Sequence, residues 1–155
     1  MRYVHTNIIA EDSQVLIAFY KKVFGLRSIG KTRDLKGEWV DRLTGLTDAH
    51  IVGEHLAMPG YDGELPTLEI FTYKSGSEKE GKGEQHVSEK RINRLGLAHL
   101  AFEVEKVEET LERLLEEGGS VVGERISTIY PDGKQAVFVY AADPEGNIIE
   151  LQNWS

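Results

Sequence analysis

The sequence predicts an α+β fold of two tandem βαβββ modules, forming a cup-shaped mixed sheet with helices outside. Three observations predict it. The stretch Gly96-Leu97-Ala98-His99-Leu100-Ala101-Phe102-Glu103-Val104 echoes Tyr3-Val4-His5-Thr6-Asn7-Ile8-Ile9, each placing one histidine inside an apolar, strand-like run. Each histidine is followed twenty positions on by a glycine, Gly25 and Gly119, with a helix-like segment between. Each half then ends on an apolar strand with one embedded carboxylate, Glu69 in Leu68-Glu69-Ile70-Phe71 and Glu150 in Ile149-Glu150-Leu151.

Residues 3 to 9 combine aromatic and β-branched residues and read as a strand. If His5 faces inward, so do Tyr3, Asn7 and Ile9, because strand side chains alternate with a period of two. Glu11-Asp12-Ser13 supplies a helix N-cap, and Val15, Leu16, Ala18, Phe19 and Val23 then recur at helical spacing up to Gly25, a C-cap. Leu26 to Arg33 and Glu38 to Leu43 are expected as strands. Ala49 to Met58 alternates better and stops at Pro59-Gly60, and a turn through Tyr61-Asp62-Gly63 leads past Pro66 to a strand over Thr67 to Tyr73. Residues 74 to 95 are polar and glycine-containing and are expected to form a solvated linker.

The second module opens at Leu97. Glu105 to Glu117 puts Val107, Leu111, Leu114 and Leu115 on one face and acidic residues on the other, a surface helix ending at Gly118-Gly119. Ser120 to Ser127 reads as a strand, Tyr130-Pro131-Asp132-Gly133 as a turn, and Gln135 to Ala142 as another strand. Asp143-Pro144-Glu145-Gly146-Asn147 turns into the last strand, Ile148 to Asn153. Each half thus runs strand, helix, then three strands, a repeat of about 60 residues that is too long and in too few copies for a solenoid. A single domain is expected over 1–155, with module one at 1–73, the linker at 74–95 and module two at 96–155.

At 155 residues the chain suffices for one well-buried domain or two small halves. A net charge of −8 argues against a nucleic-acid surface, which needs clustered Lys and Arg, and favours a small metabolite as partner. With no cysteine there is no disulfide framework, thiolate metal site or cysteine nucleophile, so any metal must sit on His and carboxylate. The opening Met1-Arg2-Tyr3-Val4-His5 enters a strand pattern at once, without the apolar run of a signal peptide. No stretch approaches the roughly 18 to 20 apolar residues of a membrane span. A cytoplasmic, soluble protein is expected.

Four strands each carry one His or Glu in an apolar setting: His5, Glu69, His99 and Glu150. A buried, unpaired carboxylate costs several kcal/mol, roughly, and two cost more. A divalent cation compensates them, and two imidazoles with two carboxylates suit Ni, Co, Fe, Mn or Zn while leaving room for substrate oxygens. Packed histidines and solvated glutamates are the plain alternative; the matched placement of one His and one Glu per half favours the metal. Phe71 and Tyr73 share the face of Glu69 by alternation and serve either to wall a pocket or to pack a core. Trp39 and Arg42 are further candidates for substrate contact. His50 and His55 are five positions apart and point to opposite faces, so both are expected as surface or dimer-contact residues. His86, in the polar linker, is expected in solvent.

The sequence resembles the vicinal oxygen chelate superfamily, which includes glyoxalase I, methylmalonyl-CoA epimerase, extradiol dioxygenases and the fosfomycin and bleomycin resistance proteins. The matching pieces are Val4-His5-Thr6-Asn7, Phe19 to Leu26, Leu68-Glu69-Ile70, Gly96 to Val104 and Asp143 to Leu151. The resemblance implies that His5, Glu69, His99 and Glu150 are the metal ligands and that a metal-bound glutamate, Glu150 or Glu69, shuttles a proton between adjacent carbons of a chelated substrate. It implies a glyoxalase-like lyase or isomerase, with an acyl-CoA epimerase, a resistance enzyme, a dioxygenase or a ligand-sequestering binding protein as alternatives, and a homodimer.

Overall fold

The computed structural model describes residues 1–63, 66–78, 92–93 and 95–155. The chain divides into two compact units, Met1–His86 and Val87–Ser155. In the first, β1 (His5–Ile9), α1 (Ser13–Phe24), β2 (Arg27–Lys36), α2 (Glu38–Thr44), β3 (Leu46–Ala57) and β4 (Thr67–Glu78) build a sheet of order β1-β4-β3-β2. In the second, β5 (His99–Glu103), α3 (Val107–Glu116), β6 (Ser120–Val121), β7 (Ile126–Ile129), β8 (Gln135–Ala142) and β9 (Ile148–Trp154) build a sheet of order β5-β9-β8-β6, with β7 also on β8. The order of the two is the same. In each, the first strand lies parallel against the last, and the last pairs antiparallel with the strand before it.

The helix α1 forms where the pattern places it. Asp12 caps it by accepting from Gln14 N at 2.9 Å, and Gly25 ends it in the left-handed conformation (φ 71°) with its N–H on Lys21 O. Its buried stripe, Leu16, Phe19, Tyr20 and Val23, packs on β3 and β4 beside the fully buried Leu56, Leu68 and Ile70. Burying each such side chain contributes about 1.5–3 kcal/mol. Ser13 N donating to Thr72 Oγ1 (2.8 Å) and Lys21 Nζ paired with Glu54 (2.9 Å) tie the helix to the same side of the sheet. Alternation then sends Asn7, Glu69 and His55 to the opposite face. In the second unit, Val107, Thr110 and Leu114 of α3 are buried against β8 and β9, leaving His99, Glu150 and Tyr140 on the other face.

Three expectations need correction. Glu38 to Leu43 is not a strand but lies in α2, framed by Gly37 and Gly45, with Gly45 in the left-handed conformation (φ 76°). Asp41 secures its end by accepting from Asp48 N and Ala49 N, and Val40 alone of the helix is buried, in a small core with Ala49, Ile51 and Phe71. The linker does not begin at 74, since β4 continues to Glu78; most of the remainder, with His86, lies outside the described residues. The single strand over 120–127 is two short ones, both hydrogen-bonded to β8. Tyr3, His5, Asn7 and Ile9, which share a face by alternation, are exposed.

Candidate functional site

Glu69 is the third residue of β4, a strand flanked by β1 and β3. Its register partners are Asn7 on one side and His55 on the other, and paired residues share a face. Two imidazoles reach the same oxygen: His5 Nδ1 and His55 Nδ1 each lie 3.1 Å from Glu69 Oε1. Asn7 Nδ2 donates to Oε2 at 3.4 Å. The carboxylate is only 7% exposed, so it needs these partners, whereas the His5 side chain is 46% exposed. Burial pushes the His55 pKa below its ordinary value; Glu69 pulls it up, but the Arg33 and His5 charges add to the downward push. The Phe71 ring stands edge-on to His55 at 5.6 Å.

The second unit repeats the plan with fewer hands on the carboxylate. Glu150 on β9 has Ala101 of β5 and Tyr140 of β8 as register partners. His99 Nε2 lies 3.1 Å from Glu150 Oε2, and the His99 ring meets Tyr140 edge-on at 5.3 Å. Tyr140 keeps its phenol proton more firmly than usual, first because of burial and then because of the Glu150 charge. Asp143 sets the turn that delivers Glu150: it is 2% exposed and accepts from Glu145 N, Asn147 N and Asn147 Nδ2 at 3.0, 2.9 and 2.7 Å.

The structure therefore brings His5 to Glu69 and His99 to Glu150. It also places His55 on Glu69, contrary to the expectation of a surface histidine. His50 stands apart, 2.9 Å from Asp34, in a hollow lined by Lys36, Asp41, Asp48 and Ser75. Phe71 packs in the α2 core, while Tyr73, Trp39 and Arg42 are exposed. The signal for His55 was in the chain: the β3–β4 hairpin turns about Asp62, and His55 and Glu69 are equidistant from it.

A family profile for the Glyoxalase/Bleomycin resistance protein/Dioxygenase superfamily matches residues 2–151. The chain belongs to this superfamily. Among curated relatives of this glyoxalase-superfamily chain are lactoylglutathione lyases of Salmonella typhimurium and Escherichia coli O157:H7, each 26% identical over 152 residues, covering 97% of this chain and 91% of theirs. A glyoxalase family protein of Bacillus cereus has the same fold, with a TM-score of 0.71 at 23% identity over 99% of this chain and 93% of that one. A glyoxalase I mutant of Zea mays aligns at a TM-score of 0.60 and 20% identity, over 97% of this chain and 44% of its own.

Among the described residues, no group of three or more His, Asp or Glu is arranged to hold a metal ion; the donors stand in contact with one another instead. An imidazole meets a carboxylate at 3.1 Å three times, in His5–Glu69, His55–Glu69 and His99–Glu150, and donors of these types suit a divalent cation. His99 Nδ1 is buried without a hydrogen-bond partner. No helix among the described residues is long and apolar enough to cross a membrane.

Proposed function

We propose that the chain is a metal-dependent lyase or isomerase that moves a proton at a carbon beside a substrate carbonyl or hydroxyl. Its donors to divalent metal, Ni, Co, Zn, Mn or Fe, are one imidazole and one carboxylate per unit, His5 with Glu69 and His99 with Glu150. One observation carries this: each unit presents an imidazole and a carboxylate 3.1 Å apart, from the same pair of strands in the module. The names of the lactoylglutathione lyases support it.

When bound, the cation supplies a Lewis acid for charge that develops on substrate oxygen. The remaining work falls to the chain. Glu69, held by two imidazoles and an amide, is the fixed carboxylate. Glu150 is touched by one imidazole and its side chain is 17% exposed against 9% for Glu69, so it is the carboxylate free to take and return a proton. Tyr140, protonated and beside Glu150 in register, is placed to donate a hydrogen bond to a substrate oxygen. A small-molecule substrate and a homodimer complete the proposal, the latter checked by sedimentation.

The test is turnover of the glutathione adduct whose isomerisation gives lactoylglutathione, run in deuterated water with protein reconstituted separately with each of the five ions. Thioester formation with solvent exchange at carbon, lost in His5→Ala and His99→Ala, is expected. Failure of all five ions to bind would remove the enzyme. Tight binding of the adduct without turnover would put a ligand-sequestering protein in its place.

A further inference from the structure

We infer that the second unit carries a docking strip for a flat apolar group, an aryl ring, on the substrate whose proton Glu150 moves. The inference rests on that reading of Glu150 and adds the substrate class. Register fixes the place of the strip. Paired residues share a face, so Tyr140 with Glu150, Phe138 with Gln152 and Ile126 with Phe138 all stand on the side of the sheet that bears His99. Trp154 follows on the same side, opposite Ala136. Tyr130, just past β7, joins them, its ring centroid 5.0 Å from that of Trp154 and 6.3 Å from that of Phe138. Two strand residues span about 7 Å and four about 13 Å, so the strip begins beside Glu150 at Phe138 and Gln152 and runs outward to Trp154.

The rings of this strip fix one another. Phe138 meets Trp154 nearly perpendicular, at 84° and 5.4 Å, and Trp154 Nε1 donates to Gln152 Oε1 at 2.9 Å, which satisfies the polar atom of the indole and sets its plane. A surface fixed in advance costs an incoming ligand little ordering. The strip is nevertheless open, with Trp154 36%, Tyr130 42% and Ile126 51% exposed. An aromatic side chain carries about 150–250 Å², so the open parts of Tyr130 and Trp154 add up to on the order of 200 Å², against about 800 Å² per partner in a standard protein interface. That suits one small-molecule ring and falls short of a protein partner. The polar groups, Glu150 and Tyr140, lie at one end and the rings at the other. A ligand matching both ends is a hydroxyacyl or oxoacyl compound that bears an aryl group in place of methyl.

The experiment compares binding of lactoylglutathione with that of mandeloylglutathione, which has phenyl where the former has methyl. Binding is read by the emission of Trp154 in a Trp39→Phe background, where it is the one remaining indole. Expected are binding of the phenyl compound tighter by about 10-fold or more, and loss of that preference in Phe138→Ala and in Ile126→Ser with the affinity for lactoylglutathione unchanged. Glu150→Gln, without the base, should keep the preference. Equal affinity for the two compounds in the wild type would overturn the inference and leave the proton-transfer reading standing. Preference for phenyl with no turnover of either adduct would take down the reading of Glu150, and with it the claim that the strip serves a substrate. Binding of neither compound would take down both. A wild-type dimer that sediments as a monomer after Trp154→Ala would assign the strip to a second copy of the chain and overturn the inference. Thermal unfolding checks each variant, and Ile126→Ser, at a half-exposed position, carries the test should Phe138→Ala fail to fold.

Discussion

His55 lies directly opposite Glu69 across β3 and β4, with Nδ1 3.1 Å from the carboxylate. Tyr140 lies in the same relation to Glu150 across β8 and β9. One module grips its carboxylate with a second imidazole; the other sets a phenol beside it.

This asymmetry predicts different outcomes for the two glutamates. Glu150→Gln should lower kcat by about 10²- to 10⁴-fold, the worth of a positioned base, while retaining most of the metal. Glu69→Gln should lose metal first, and activity with it. Metal content and single-turnover rates measured side by side check the assignment; equal metal loss in both variants would remove Glu150 from the role of base.

Asp143 should matter well beyond its own turn. It is buried, and Asp143→Ala leaves two backbone N–H groups and the Asn147 amide without their acceptor. A loss of about 2–3 kcal/mol in unfolding free energy is expected, measured by urea denaturation, together with weaker metal binding because β9 carries Glu150. Unchanged stability would mean that the turn holds without its side chain.

A tighter constraint lies at Gly53. A Cβ there would stand 2.0 Å from Ile70 O and 2.4 Å from Phe71 Cδ1, and backbone cannot yield as a side-chain tip can. Gly53→Ala should cost about 3 kcal/mol or more. Gly123→Ala, with nothing within 4 Å of the new Cβ, is the control and should stay within about 0.5 kcal/mol of wild type.

Glu54 gives a pH dependence of known sign. The Ser28 hydroxyl bond, and after it the hydrogen bond and charge of Lys21, hold its pKa below 4.5 despite the opposing effect of burial. The unfolded chain therefore binds this proton more readily than the folded one. The stabilisation is present above 4.5 and is lost as pH falls through the lowered folded value. Ser28→Ala should destabilise by about 1 kcal/mol at pH 7 and by much less at an acid pH below the lowered folded value. Denaturation curves at the two pH values decide it; an equal loss at both would deny Glu54 the role.

Most of the fold was legible because its signals are local. Asp12 and Gly25 mark α1 by cap chemistry, and the repeat of His5 by His99 and Glu69 by Glu150 shows the modules. The strand expected over 38–43 failed because Trp39, Val40 and Leu43 fit either period, and the choice of helix rests on Asp41 reaching the backbone of Asp48 and Ala49. His55 was missed for another reason. Its spacing from His50 gives relative faces at most, and the pairing of β3 and β4 shifts register between His50 and Ile51. Only its distance from the hairpin turn, compared with that of Glu69, locates it.

The pairing of first strand with last has a consequence for biosynthesis. As the ribosome releases the chain, His5 emerges long before Glu69, and β1 has no neighbour in its sheet until β4 arrives. The second module repeats the wait, with β5 unpaired until β9, near the end of the chain. A nascent chain stalled before β4 or β9 has an imidazole in that module but not its carboxylate partner. In a chain stalled there, β1 or β5 keeps both of its edges open to pairing with foreign strands.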